Sequence, residues 1–200
     1  MKKLVILIVY IFILGNSFAQ ESKEKAEATF VININGKEYT INEGEELKID
    51  TSTIFVKMAE YRKIKTEYLS FNYPSNFSFE FDKEFGFKNW TLSGNDFVIM
   101  YFEIEIKSEL DEFVNAMVAQ FGEKNCKTKK TKKKLGNLTL KGTNILVSVF
   151  GEQLSIDFLE INPKGNKSKF IAFQDSLDQK KSSKEGIKTL NMISKSIIYT

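Results

Sequence analysis

Apolar and polar residues alternate over long stretches of this chain, and the repeat lengthens to that of a helix in only two places. Thr29–Asn33 and Glu38–Ile41 read as strands joined at Asn35-Gly36, a pair that favours a two-residue hairpin turn because both residues tolerate positive φ. Glu46–Ile49, Thr53–Met58 and Lys65–Tyr73 have the same strand character. Pro74 and Ser75 then break the pattern. Beyond them Phe77, Phe79 and Phe81 alternate with Ser78, Glu80 and Asp82, which predicts a half-buried strand. Trp90-Thr91-Leu92 starts another strand, and Gly94-Asn95-Asp96 turns the chain into Phe97–Lys107. There Val98, Met100, Phe102, Ile104 and Ile106 share one face, with Tyr101, Glu103 and Glu105 on the other.

The first helix signal follows. Leu110, Phe113, Val114, Met117, Val118 and Phe121 form one stripe at spacings of three and four. Ser108 is the expected N-cap, with Asp111 completing a capping box, and Gly122 is the expected stop. Strand character returns at Cys126–Leu135, Asn137–Phe150, Gln153–Asn162 and Lys169–Asp175, with turns near Gly136, Gly151 and Gly165. Gly142 is expected to mark a bulge or a break. A second capping box, Ser182 to Glu185, opens a terminal helix with Ile187, Leu190, Ile193 and Ile197 inward. The predicted fold class is α+β: an antiparallel sheet with two helices (about 109–121 and 183–198) packed on it, plus an N-terminal β-hairpin region. The domain reading is one domain over 28–200, with residues 28–72 as a β extension.

The first 27 residues read differently. Lys2 and Lys3 precede an uncharged apolar run, Leu4–Leu14, and small residues at Ser17 and Ala19 suit cleavage before Gln20. The run is too short to span a bilayer, so a cleaved signal peptide over 1–19 is expected, with an uncleaved anchor as the alternative. Residues 20–27 are a charged lead-in expected to be disordered. Export implies a periplasmic or secreted mature chain without a transmembrane segment. With one cysteine, Cys126, no internal disulfide is available.

From Tyr73 onward the order of elements resembles the PsbP-like fold. The resemblance is carried by Tyr73-Pro74-Ser75-Asn76-Phe77-Ser78, the helix Leu110–Phe121, the strand start at Gly136–Gly142, the strand pair over Ile145–Ile161 and the closing segment Leu190–Ser196. It covers about two-thirds of the chain and has no counterpart for the residues before Tyr73. Members of that family include extrinsic photosystem subunits and bacterial exported proteins. The resemblance implies a binding or assembly module and transfers no functional residue.

Composition narrows the chemistry. There is no histidine and a single arginine, Arg62, so Ser-His-Asp and Cys-His sets and histidine-based zinc sites are excluded. No phosphate-binding glycine loop and no calcium-loop spacing occurs, and no cofactor or metal is expected. Lysines around Cys126 would lower its pKa were it exposed. Residues 20–120 carry 19 acids against 11 bases, and residues 121–200 carry 7 against 16, so the halves can attract each other or a second copy.

Three sets of residues are candidates for contact. Glu103 and Glu105, two apart on one strand face, have a spacing compatible with a carboxylate pair, though such acids more often form a solvated surface. Trp90, with Phe85 and Phe87, is less well explained by a core face than Phe77, Phe79 and Phe81, and suggests a carbohydrate- or small-ligand platform or a hydrolase. Lys124, Lys127, Lys129, Lys130, Lys132, Lys133 and Lys134 form the most concentrated charge. Protection of an exposed sheet edge is the first reading of this run. Contact of Lys129, Lys130, Lys132 and Lys133 with an anionic envelope component comes second, and nucleic acid is set aside for want of arginine and stacking aromatics. The leading functional reading is a non-enzymatic module of the cell envelope, bound to a partner protein or an anionic component.

Overall fold

The structure of the chain, a computed structural model, describes residues 28–48, 54–149, 151–161 and 166–199. The expected signal peptide, the lead-in at 20–27 and the turn at Gly165 lie outside these residues. Asn35 and Gly36 take φ of 51° and 82° and join β1 (Thr29–Ile34) to β2 (Lys37–Asn42), the predicted hairpin. With β3 (Ile54–Met58) these strands form a three-stranded sheet in the order β2-β1-β3. Glu46–Lys48, expected in a strand, is not part of one.

Lys65–Tyr73 was expected as one strand and is instead the bend of a hairpin. The Thr66 hydroxyl accepts from the amides of Tyr68 and Leu69, at 3.3 and 3.2 Å, a local turn that competes with extension. It separates β4 (Tyr61–Lys65) from β5 (Leu69–Pro74). Next come β6 (Ser78–Glu84), β7 (Phe87–Ser93), β8 (Phe97–Ile104) and α1 (Leu110–Phe121). A short 3-10 turn, Glu123–Asn125, leads to β9 (Cys126–Leu135), β10 (Leu138–Val149), β11 (Glu152–Glu160) and β12 (Ser168–Ser176). The chain closes with α2 (Lys184–Ser196) and β13 (Ile198–Tyr199).

Every strand pairing is antiparallel, and the fold class is α+β as predicted. Where one sheet with an N-terminal hairpin region was expected, the strands among the described residues divide into three sheets: β2-β1-β3, a seven-stranded sheet β6-β7-β8-β12-β11-β10-β9, and β13-β5-β4. The seven-stranded sheet has a core on each face. On one face Val98, Met100 and Phe102 meet Phe158, Phe170 and the α1 residues Val114 and Met117. On the other, Ile99, Tyr101, Ile171 and Phe173 meet Phe71 and Tyr73 of β5 and Ile193 of α2. The two helices therefore lie in the cores of opposite faces. β8 reads as a nearly continuous apolar run because both of its faces are covered.

Details of the helix ends differ from expectation by one residue. Glu109, not Ser108, is the N-cap of α1, and its amide donates to Glu112 at 3.4 Å. The Ser108 amide donates instead to the Ser168 hydroxyl at 2.8 Å, which ties the helix start to β12. Ser183, not Ser182, caps α2 and accepts from the Gly186 amide at 2.8 Å. Ile187, expected inward, is exposed. Gly142 makes no bulge in the β9 ladder, which keeps one register through it, but the pairing of β10 with β11 stops at this glycine. Its hydrogen is required because a Cβ there would sit 1.8 Å from the Phe158 carbonyl oxygen.

Candidate functional site

β8 lies between β7 and β12, and the two registers set Glu103 directly opposite Lys88 on one side and Lys169 on the other. Glu103 is 7% exposed and Lys169 4%. Burying two charges is costly unless they are paired, and Lys88 is only half-buried. The Tyr101 hydroxyl donates to the Glu103 carboxylate at 3.1 Å, and the Lys88 ammonium stands 3.7 Å from it. The Lys169 ammonium lies over the Tyr68 ring, 3.5 Å from its centroid. Tyr68 belongs to the β4–β5 turn, so this contact seats that turn against the sheet. Burial pushes the Glu103 carboxyl up, while the Tyr101 hydrogen bond and Lys88 pull it partly back. Burial, reinforced by Glu103, also raises the Tyr101 phenol.

The sequence candidates in this region separate. Trp90 and Glu103 share a sheet face, with Tyr101 between them. Trp90 is 3% exposed, its ring 4.9 Å from Phe81 and 5.3 Å from Tyr101. It is a core residue beside Tyr101 across the β7–β8 ladder and presents no surface platform. Glu105 is exposed and paired with Lys167 at 2.8 Å, which holds its carboxyl below the usual range. One carboxylate of the 103/105 pair is thus enclosed and the other is in solvent. Phe87 packs at the α1-side core, 6.0 Å from Phe102, whereas Phe85 is fully exposed.

The lysine run is β9, and β9 is an edge of the seven-stranded sheet. Strand pleating divides its lysines. Lys127, Lys129 and Lys133 share the face of α2, and Lys130, Lys132 and Lys134 share the face of α1. Two of them are engaged: Lys130 with Asp111 of α1, and Lys133 with Asp157 of β11 at 2.6 Å. Asp157 also accepts from Asn144 at 2.8 Å, so Lys133 is part of a half-buried network. Lys129 and Lys132 are exposed, and neither has an ion pair among the described residues. Lys132 faces Lys141 of β10 directly across the ladder. Cys126, at the start of the same strand, packs against the α1-side core, and burial pushes its thiol up, opposite to the lowering that exposure among lysines would give.

Sequence reading missed Lys88, Lys169, Tyr68 and Asp157, because their roles come from register across the ladders and, for Tyr68, from a turn seated on a much later strand. The one available signal was the two-residue phase, which puts Tyr101 and Glu103 on one face. Among the described residues no group of three or more Cys, Asp or Glu is placed to hold a metal ion, and no helix is long and apolar enough to cross a membrane. Compared with known proteins, the chain matches no family model, and no curated protein matches it.

Proposed function

We propose that this chain is an exported, non-enzymatic binding module of the cell envelope whose contact surface is the lysine edge strand β9. The observation that carries this reading is the Lys132–Lys141 pair. Like charges directly opposite in a ladder destabilise it, and Lys134 lies on the same sheet face. Edge protection alone needs lysines on the edge strand, not a further lysine set against them on the next strand in. A surface that retains uncompensated ammonium groups suits an anionic partner, such as an envelope polymer or an acidic protein face. The export signal and the PsbP-like order of elements both support an assembly role outside the cytosol.

The test is charge reversal of the exposed lysines. The triple variant Lys129→Glu, Lys132→Glu, Lys134→Glu should lose association with the envelope fraction, and the association of the parent should weaken with salt. Equal partitioning of parent and variant would overturn the reading. Lys130 and Lys133 are left unaltered because Asp111 and Asp157 already hold them.

A further inference from the structure

The registers bring one end of the seven-stranded sheet level. Glu84 faces Phe87, Phe87 faces Ile104, and Ile104 faces Ser168. At the other edge, Leu138 faces Leu135 where β9 and β10 meet, at the same end of the sheet because strand directions alternate throughout. Three of the large exposed apolar side chains lie at this end: Phe85 at the β6–β7 tip, Ile106 just beyond β8, and Leu138 at the start of β10. Phe85 is wholly in solvent, and Ile106 is 74% exposed. The Glu105 amide donates to the Gly86 carbonyl at 2.9 Å, so the segments bearing Phe85 and Ile106 are held together.

Single exposed apolar residues are ordinary, but an end carrying three of them with basic neighbours is not. Lys83 and Lys134 are exposed here, and Lys107 and Lys167 are paired with Glu160 and Glu105. Glu84 at the β6–β7 tip, Glu109 and Glu112 at the start of α1 and Glu67 in the β4–β5 turn are further exposed acids at this end. The β6–β8 side, with the start of α1, therefore carries no basic excess, and the cationic part of this end is Lys132 and Lys134 of β9. Phe85 and Ile106 toward one edge of this end, with Leu138 and a cationic strand at the other, match the boundary of an anionic bilayer, where apolar side chains enter the headgroup region and ammonium groups meet phosphate.

We propose that this end of the sheet docks on an anionic phospholipid bilayer, with Phe85 and Ile106 entering the headgroup boundary and the C-terminal half of β9 supplying the electrostatic attraction. The inference rests on the lysine-strand reading above and names its partner. Tryptophan serves as the probe, because the native Trp90 is buried and gives a constant background.

The experiment uses the processed chain recovered after export, carrying Phe85→Trp, with vesicles of phosphatidylglycerol and phosphatidylcholine or of phosphatidylcholine alone. On the anionic vesicles the introduced indole should shift its emission to the blue and become protected from acrylamide. The double variant Phe85→Ser, Ile106→Ser should bind these vesicles roughly tenfold more weakly, and bind soluble polyphosphate as the parent does. Lys132→Glu with Lys134→Glu should weaken both. Binding of the parent to polyphosphate but not to vesicles would overturn the bilayer inference and leave the lysine-strand reading standing, as would an introduced indole that stays in water on bound vesicles. Binding of the parent to neither would overturn both.

Discussion

The ammonium of Lys169 and the ring of Tyr68 meet at 3.5 Å, and through that contact a turn early in the chain is seated on a strand near its end. Lys169 is buried, so the aromatic face takes the place of part of its hydration. Tyr68→Leu keeps the apolar bulk and removes most of the ring's charge attraction, and should cost about 1–2 kcal/mol in urea unfolding. Lys169→Met should cost about 3 kcal/mol, since it leaves Glu103 with Lys88 as its only cross-strand cation. Adding Glu103→Gln to Lys169→Met should recover a substantial part of that loss, a coupling that a double-mutant cycle measures.

Glu103 has its carboxyl raised by burial above the ordinary value of 4.5. A group that binds its proton more tightly when folded contributes most below its unfolded pKa, and that contribution is lost as pH rises through the folded value. Stability should therefore carry a declining component from about pH 4.5 upward. Glu103→Gln should remove this component, and denaturant midpoints measured at half-unit pH steps in parent and variant will show it.

Gly142 sits at the end of the β10–β11 ladder, against the Phe158 carbonyl. Gly142→Ala would place a methyl group 1.8 Å from a backbone oxygen that has no freedom to rotate away. The strand pair must move to admit it, so a loss of about 3 kcal/mol or more is expected, seen as a lowered guanidinium midpoint or failure to accumulate. A similar substitution at Gly151, in an exposed turn with open space around it, should cost less, limited to the strain of its positive φ of 82°.

The Glu185 carboxylate accepts from the amides of Asp96 and Phe97, at 2.6 and 3.0 Å, and so pins the β7–β8 turn to the first turn of α2. Glu185→Ala should cost about 1–2 kcal/mol and speed hydrogen exchange of those two amides specifically. Glu185→Gln should restore part of the protection, because one amide oxygen still accepts.

Lys132 tests whether its strand is shaped by something other than stability. Lys132→Glu sets opposite charges across the ladder from Lys141 and should raise stability by roughly 0.5 kcal/mol in thermal melts, while weakening envelope association. A stabilising substitution that costs binding is the behaviour expected of a contact surface.

Much of the architecture was legible in the chain. The 3.6-residue stripe of Leu110–Phe121, the Asn35-Gly36 turn and the period of Phe77–Asp82 are local signals, written in residues close enough to act on one another. The failures share a cause. Lys65–Tyr73 read as one strand because its pattern is apolar, yet a single hydroxyl at Thr66 gathers two amides and bends it. The Tyr101–Glu105 face read as solvated because the chain cannot show which later segment covers it. β5 and α2 cover the Tyr101 end, so Glu103 lies inside while Glu105 remains in water.

What the sequence determined by itself was the class of fold, the two helices, the absence of histidine chemistry and a strand loaded with lysine. These follow from composition and from periods shorter than one element. Tertiary structure decided that the lysine strand is an edge, that Trp90 is enclosed in the core and that three apolar tips share one end of the sheet. Each of these depends on which strands lie side by side and in what register. The joining of β8 to β12, and the seating of β5 and α2 on them, bring together segments far apart in the chain, over which no local pattern carries information.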